Sequence, residues 1–339
     1  MPISMDDKIR AHELLEWIPV RIEQKGEDSL VHWCRLGEKR FVEPFFEETI
    51  AHLLRQPFNQ LFCRQTSLDA LRELHGLQPG MKPTGFIFHS SRCGSTLLTQ
   101  MLSSCGRNIV IAEADPLDTI IRSHYRGRAF ADEARRTEIL KSLVSVFSQR
   151  RHAEEARFFI KFDAWHMLEL PLIKAAFPDV PWVFIYRHPL EVLVSHKRRR
   201  GLHMVAGMLE PEMFGLTQDQ TSLMTTEAYC AHVLGCILHA ALKHQALGNG
   251  LLVNYSELPK AAWTSIAKHF NISWDASELI SMRNSARSDA KNPGFSFVPD
   301  NDSKQQEANQ VLMDAAEEWV MPVYRDLENA RNQTQAKRV

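Results

Sequence analysis

Five short apolar runs recur along the chain: GFIFH (85–89), NIVIA (108–112), FFIKF (158–162), WVFIY (182–186) and LLVNY (251–255). Each is apolar nearly throughout rather than at alternate positions, and helical stretches such as STLLTQMLSSC and PLEVLVSHKRRR lie between them. A strand that is apolar on both faces must be covered on both, and helices that link parallel strands supply that cover. The pattern predicts an α/β fold of three layers, a central parallel sheet flanked by helices. With 339 residues and 44% hydrophobic content, the chain can form one large domain of this kind with additions, or two modest ones.

Around this centre the chain divides into residues 1–80, an N-terminal mostly helical extension, residues 81–330, the α/β domain, and residues 331–339, a polar tail. ETIAHLLRQ and SLDALRELHGL carry helical apolar spacing in the extension. Residues 202–225 and 284–310 read as long loops, which in α/β proteins tend to lie over the active site. In the C-terminal EANQVLMDAAEEWVMPVYRDL, residues Val311, Leu312, Ala315, Ala316, Trp319, Val320 and Val323 predict a core-packing helix bent near Pro322.

The bulk properties exclude several classes. A formal net charge of -1 argues against nucleic acid or a membrane surface as partner. No apolar run approaches the roughly 20 residues of a membrane span, and the acidic N-terminus does not read as a secretory signal. The six cysteines show no CxxC pairing, so reduced thiols in a cytoplasmic protein are expected, with no metal site.

The chemistry concentrates after the first run. HSSRCGST joins a strand to a helix, so backbone N–H groups and the positive end of a helix dipole face one spot. Gly94 lets the chain approach an anion, Arg92 adds a fork of donors, and Ser95 and Thr96 supply hydroxyls. An ordinary capped helix, with Ser95 or Thr96 as the cap, is the competing reading. Ser95 stands where nucleotide triphosphatases place a lysine, and WVFIY ends in Arg187 rather than a metal-holding aspartate. Both departures argue against a magnesium–triphosphate site. Arg187 at a strand end, with Ser195 eight residues on in the next helix, has the geometry to grip a second phosphate.

These elements together resemble the sulfotransferases that use 3′-phosphoadenylyl sulfate (PAPS), across the central half to two-thirds of the chain. Arg92-Cys93-Gly94-Ser95-Thr96 is similar to the family loop that holds the 5′-phosphosulfate. Arg187 and Ser195 match its 3′-phosphate signature, and Tyr255-Ser256-Glu257-Leu258 loosely matches the strand end near the adenine. The loop is closest to that of tyrosylprotein and bacterial members. The resemblance implies a P-loop-type fold, PAPS as donor with no metal required, and a hydroxyl or amine acceptor, on a small molecule or a macromolecule.

A general base must take the acceptor proton. Glu113 follows the second strand at its carboxyl end, where open α/β sheets place ligands, and the resemblance to tyrosylprotein sulfotransferases implies a glutamate base there. Lys161 matches the lysine of the K-x-H found in cytosolic members, but Asp163 stands where their histidine would be. Asp163 and His166 therefore remain alternatives to Glu113. Arg287, Ser288 and Lys291 are candidates for a late basic loop over the donor, although the R-K-G of the family is missing. Lys197–Arg200 either add to the field around the 3′-phosphate or form a solvated face. Met204, Met208, Met213 and Phe214 read as an apolar acceptor pocket or as core filling. A P-loop phosphotransferase and a catalytically inactive nucleotide-binding protein are the alternatives in function.

Overall fold

The computed structural model describes residues 11–25, 28–127, 132–288 and 307–336. The five apolar runs form one parallel sheet in the order β5-β6-β4-β7-β8: β4 (Gly85–His89), β5 (Asn108–Ala112), β6 (Arg157–Lys161), β7 (Trp182–Tyr186) and β8 (Gly250–Asn254). All residues of β4, β5 and β7 are buried, which is what unbroken apolar runs require. After β4 the chain leaves toward β5 on one side, and after β7 toward β8 on the other. The crevice at the carboxyl ends of these two neighbours is where open α/β sheets bind ligands.

Register then fixes the site. His89 pairs with Ile185 across β4 and β7. Lys161, the last residue of β6, lies opposite Ile87 on one side and Ala112 on the other. The loop after β4, Glu113 after β5 and Lys161 thus meet at one edge.

Residues 11–80 hold more strand than their spacing suggests. The expected helices form at Phe46–Leu54 and Asp69–Leu77, but three antiparallel strands accompany them: β1 (Trp17–Lys25), β2 (Asp28–Arg35) and β3 (Arg64–Ser67). The register slips between Pro19 and Arg21, breaking the alternation by which β1 would be recognised. Ile18, Ile22, Val31 and Trp33 turn inward and share one core with Phe86, Phe88 and Phe147. The Phe46 ring meets Phe147 edge-on at 5.5 Å. The extension is therefore packed as part of the same body.

At the other end the helix breaks at Val320 and resumes from Met321, with Pro322 in the first turn, where its missing N–H costs nothing. Leu312, Ala315, Ala316, Val320 and Leu327 are buried, whereas Val311 and Trp319 face outward. Residues 331–336, expected as a polar tail, continue this helix, and Arg331 pairs with Glu257 at 3.2 Å and Glu328 at 2.9 Å. Met204, Met213 and Phe214 are core residues, and Met208 is exposed. Arg287 and Ser288 follow the Ala276–Ser285 helix away from the cavity described below, and Lys291 lies outside the described residues.

Candidate active site

The loop after β4 has the backbone shape expected of an anion cradle. Ser91, Arg92 and Gly94 all take left-handed conformations, with φ of 65°, 50° and 83°. The helix Ser95–Ser103 starts at Gly94 with no side-chain cap, so the capped-helix alternative does not hold and its first N–H groups remain open to an anion. A Cβ at Gly94 would fall 2.8 Å from the Tyr255 ring and 3.1 Å from Leu258. Gly94→Ala is expected to cost about 1–3 kcal/mol of stability through strain and clash, measurable by denaturant unfolding. Cys93 is fully buried and its thiol donates to the Ile185 carbonyl at 3.0 Å, so its side chain anchors the loop to β7. Arg92 donates from Nη2 to the Arg199 carbonyl at 2.7 Å, tying the loop to the end of the helix Pro189–Arg198.

A cavity of about 660 Å³ opens beside the loop, and Ser91, Arg92, Ser95, Thr96, Glu113 and Asp163 lie on its wall. The lysine missing from the loop arrives from β6. Lys161 is completely buried, with Nζ 3.4 Å from Thr96 Oγ1 and 2.7 Å from Glu113 Oε1. Phe45, from the N-terminal extension, places its ring 4.7 Å from the same ammonium. Glu113 adopts a left-handed backbone, φ 56°, and donates its N–H to the Lys161 carbonyl at 2.8 Å. Such strain at a strand end persists only where its surroundings enforce it.

Two carboxyls a few residues from one another in space are pushed in opposite directions. Burial would raise the Glu113 carboxyl, but the Lys161 charge and the nearby His89 outweigh it and hold it far below the ordinary range. Asp163 is buried too, and Lys161 and Arg122 act on it too weakly to offset that. Burial first, then the neighbouring Glu113 and Asp118 carboxylates, raises it well above 3.8, favouring the neutral acid.

His89 closes β4 beside this pair. Its Nδ1 accepts from the Ser91 N–H at 3.0 Å, which leaves the proton on Nε2, 3.2 Å from Glu113 Oε1. Burial would lower the pKa of this imidazole, but its contacts with Cys93 and Glu113 raise it overall.

His166 points elsewhere. Its Nδ1 accepts from the Asp163 N–H at 3.2 Å and its Nε2 donates to Asp118 Oδ1 at 2.8 Å. Asp118 also accepts from Trp165 at 2.7 Å and from two nitrogens of Arg122, at 2.7 and 2.6 Å. His166 is 1% exposed and locked in this network, off the cavity wall. Among the described residues, Asp118, Asp163 and His166 are spaced closely enough to hold a metal ion. The Arg122 fork already occupies Asp118, and Asp163 favours its neutral form, so the cluster is satisfied as it stands.

The residues expected to grip a second phosphate follow β7 and lie on the helix after it. Arg187 is 5% exposed, lays its guanidinium 4.3 Å over the Tyr255 ring, and pairs through Nε with Glu191. Tyr255 in turn packs under Gly94, so Arg187, Tyr255 and the loop form one stack. Ser195 is half-buried on the helix Pro189–Arg198 that starts beside Arg187. Arg187, Ser195 and Tyr255 lie outside the cavity wall. Arg199 and Arg200 reach that wall, while Lys197 and Arg198 are exposed and Arg198 pairs with Glu307.

A sequence model of the sulfotransferase family matches residues 83–275, from the start of β4 past β8. The chain belongs to the sulfotransferase family. No curated protein sequence matches it. The sulfotransferase from Alicyclobacillus acidocaldarius is similar at 13% identity, over 74% of this chain and 96% of that one, with a TM-score of 0.44. The sulfotransferase domain of the Synechococcus PCC 7002 olefin synthase shares 15% identity over 75% and 95%, with a TM-score of 0.42. Sulfotransferase STF9 from Mycobacterium avium shares 12% over 74% and 80%, with a TM-score of 0.44. No described helix of this sulfotransferase is long and apolar enough to cross a membrane.

Proposed function

We propose that this sulfotransferase moves a sulfuryl group from PAPS to a hydroxyl acceptor without a metal ion, as a cytoplasmic enzyme. The observation that carries the reading is Lys161, buried at the junction of Thr96 and Glu113. A phosphate loop without its own lysine receives one from the adjacent strand, placed to serve an anion and a carboxylate at once. PAPS supplies a sulfuryl group on a good phosphate leaving group. The uncapped helix start, Ser95, Thr96 and Arg92 hold its 5′ end, and Arg187, Ser195 and Tyr255 hold its 3′-phosphate and base. A sulfuryl group carries less negative charge than a phosphoryl group, so positioned donors suffice to stabilise the charge that develops on the departing phosphate.

Glu113 is the base. It lies on the cavity wall as a carboxylate, whereas Asp163 favours its neutral form and His166 is committed to Asp118. While Lys161 is 2.7 Å away, Glu113 is a weak base. Once the donor phosphate shares the Lys161 charge, Glu113 regains basicity where the proton must go. The acceptor oxygen bonds to sulfur as the sulfur–phosphate oxygen bond breaks. That electron pair leaves with adenosine 3′,5′-bisphosphate, and the hydroxyl proton passes to Glu113.

The donor assignment is tested by thermal unfolding. Adenosine 3′,5′-bisphosphate at a hundredfold excess over its Kd should raise the Tm by roughly 5 °C in the presence of a chelator. ATP with magnesium should do much less. Equal stabilisation by the two, or stabilisation by ATP alone, sinks the reading in favour of phosphoryl transfer.

A further inference from the structure

His203 lies in the short 3₁₀ turn Leu202–Met204 after the helix Pro189–Arg198, in a stretch whose candidate pocket residues are Met204, Met208, Met213 and Phe214. It is 3% exposed and lines the cavity, yet neither ring nitrogen has a hydrogen-bond partner among the described residues. Buried polar atoms in native proteins nearly always have partners, and leaving two unpaired is costly. An imidazole so placed, on the wall that also carries Glu113, is explained by a ligand that completes it.

The ring is held in place by its neighbours. Trp165 packs against it with centroids 5.3 Å apart, and His196 meets it edge-on at the same separation. His196 is fixed in turn, with Nδ1 accepting from the Gly201 N–H at 3.2 Å and Nε2 3.1 Å from Ser91 Oγ in the anion loop. Gly201 leaves room for the pair, since a Cβ there would come 3.2 Å from His203 Cε1. The orientation of His203 is thereby tied to the loop that grips the donor. Burial first, then the neighbouring His89, pushes its pKa down to about 3, so the ring is neutral with one N–H to donate.

We propose that His203 binds the acceptor, and that the acceptor is an uncharged alcohol or phenol. The inference rests on the donor reading above. The His203 N–H donates to one lone pair of the acceptor oxygen. The hydroxyl hydrogen faces Glu113, and the remaining lone pair forms the bond to sulfur. Glu113 takes the proton, His203 keeps its own, and the bisphosphate leaves with the electrons of the broken bond. The rest of the wall fits the same class of ligand. Phe45, Trp165 and Leu202 offer apolar surface, and Glu47 and Glu48 of the N-terminal extension add negative charge. Arg92, Arg199 and Arg200 on the same wall are balanced by the anionic donor, which leaves Glu47 and Glu48 to disfavour a carboxylated acceptor.

The probes are 2-naphthol and its carboxylated analogue, 6-hydroxy-2-naphthoate, each with PAPS. Wild-type enzyme should sulfate the naphthol and discriminate against the naphthoate. His203→Phe should raise the KM for naphthol about tenfold, the worth of one buried hydrogen bond. Its thermal response to adenosine 3′,5′-bisphosphate should match wild type, which also reports that it folds. His203→Gln, which keeps an N–H donor, should recover part of the loss. An unchanged KM in His203→Phe, equal use of both probes, or no sulfation of naphthol by a wild-type enzyme that binds the bisphosphate would each overturn the inference alone. If wild type does not bind the bisphosphate, the donor reading fails and this inference fails with it.

Discussion

Glu113→Ala is expected to lower kcat by about a thousandfold, within the range for loss of a general base, while binding of adenosine 3′,5′-bisphosphate is largely kept. The substitution also removes the 2.7 Å partner of a fully buried lysine. An orphaned buried charge costs about 3 kcal/mol, the low end for such pairs, and Glu113 is partly open to the cavity. Lost activity could then be mistaken for lost fold. A double variant, Glu113→Ala with Lys161→Met, restores a neutral interior and should recover stability without recovering turnover. Asp163→Asn supplies the contrast. That side chain already favours its neutral form, so an amide should be tolerated in stability and should reduce turnover far less. A fully active Glu113→Ala beside an inactive Asp163→Asn would move the base to Asp163.

The same pair predicts a pH signature. The Glu113 carboxyl is depressed below its ordinary 4.5 in the folded protein, so the unfolded chain binds the proton first. Its contribution to stability is present above about pH 4.5 and is lost as pH falls toward the folded value. Removing Glu113 should flatten that limb of an acid titration of stability. Asp163 has the opposite sign. Its raised pKa means that stability declines as pH rises from 3.8 toward the folded value, and Asp163→Asn should abolish that decline.

The parallel sheet was legible because each of its strands is buried on both faces, which leaves an unbroken apolar run in the sequence. The first strand of the extension was not, because Pro19 and the slipped register before Arg21 destroy the alternation that marks a half-buried strand. The site divides along the same line. Arg92 through Thr96, Glu113, Lys161 and Arg187 sit at strand ends, where sheet topology alone brings residues distant in sequence together. His203 comes from a short 3₁₀ turn and Phe45 from a loop, and no spacing rule announces a lone histidine or phenylalanine there. His89 was visible as the last residue of GFIFH, but only the β5–β6–β4 order puts it 3.2 Å from Glu113. His166 misled for a related reason. It follows Asp163 closely in sequence, yet the turn at Ala164–Met167 rotates its ring toward Asp118 and Arg122.

Arg187→Ala is expected to weaken binding of adenosine 3′,5′-bisphosphate by about a hundredfold to a thousandfold, the scale of a buried charge-assisted grip on phosphate. The guanidinium is prepared for that role by stacking on Tyr255, which itself packs against Gly94, so loss of Arg187 should loosen both ends of the donor site. Its pairing with Glu191 does not argue against a phosphate partner. A guanidinium carries five N–H donors and can serve a carboxylate and a phosphate at once. The substitution leaves Glu191, 6% exposed, beside a lost cation, so stability should fall as well. Arg187→Met with Glu191→Gln separates the two effects: packing on Tyr255 is kept and no buried charge remains, yet bisphosphate affinity should stay low. Adenosine 5′-phosphosulfate, which lacks the 3′-phosphate, is the decisive control. Its affinity should change little in the double variant, because the 3′-phosphate that Arg187 is proposed to hold is missing from it. An equal loss for both nucleotides would place Arg187 in the architecture of the loop rather than on the 3′-phosphate.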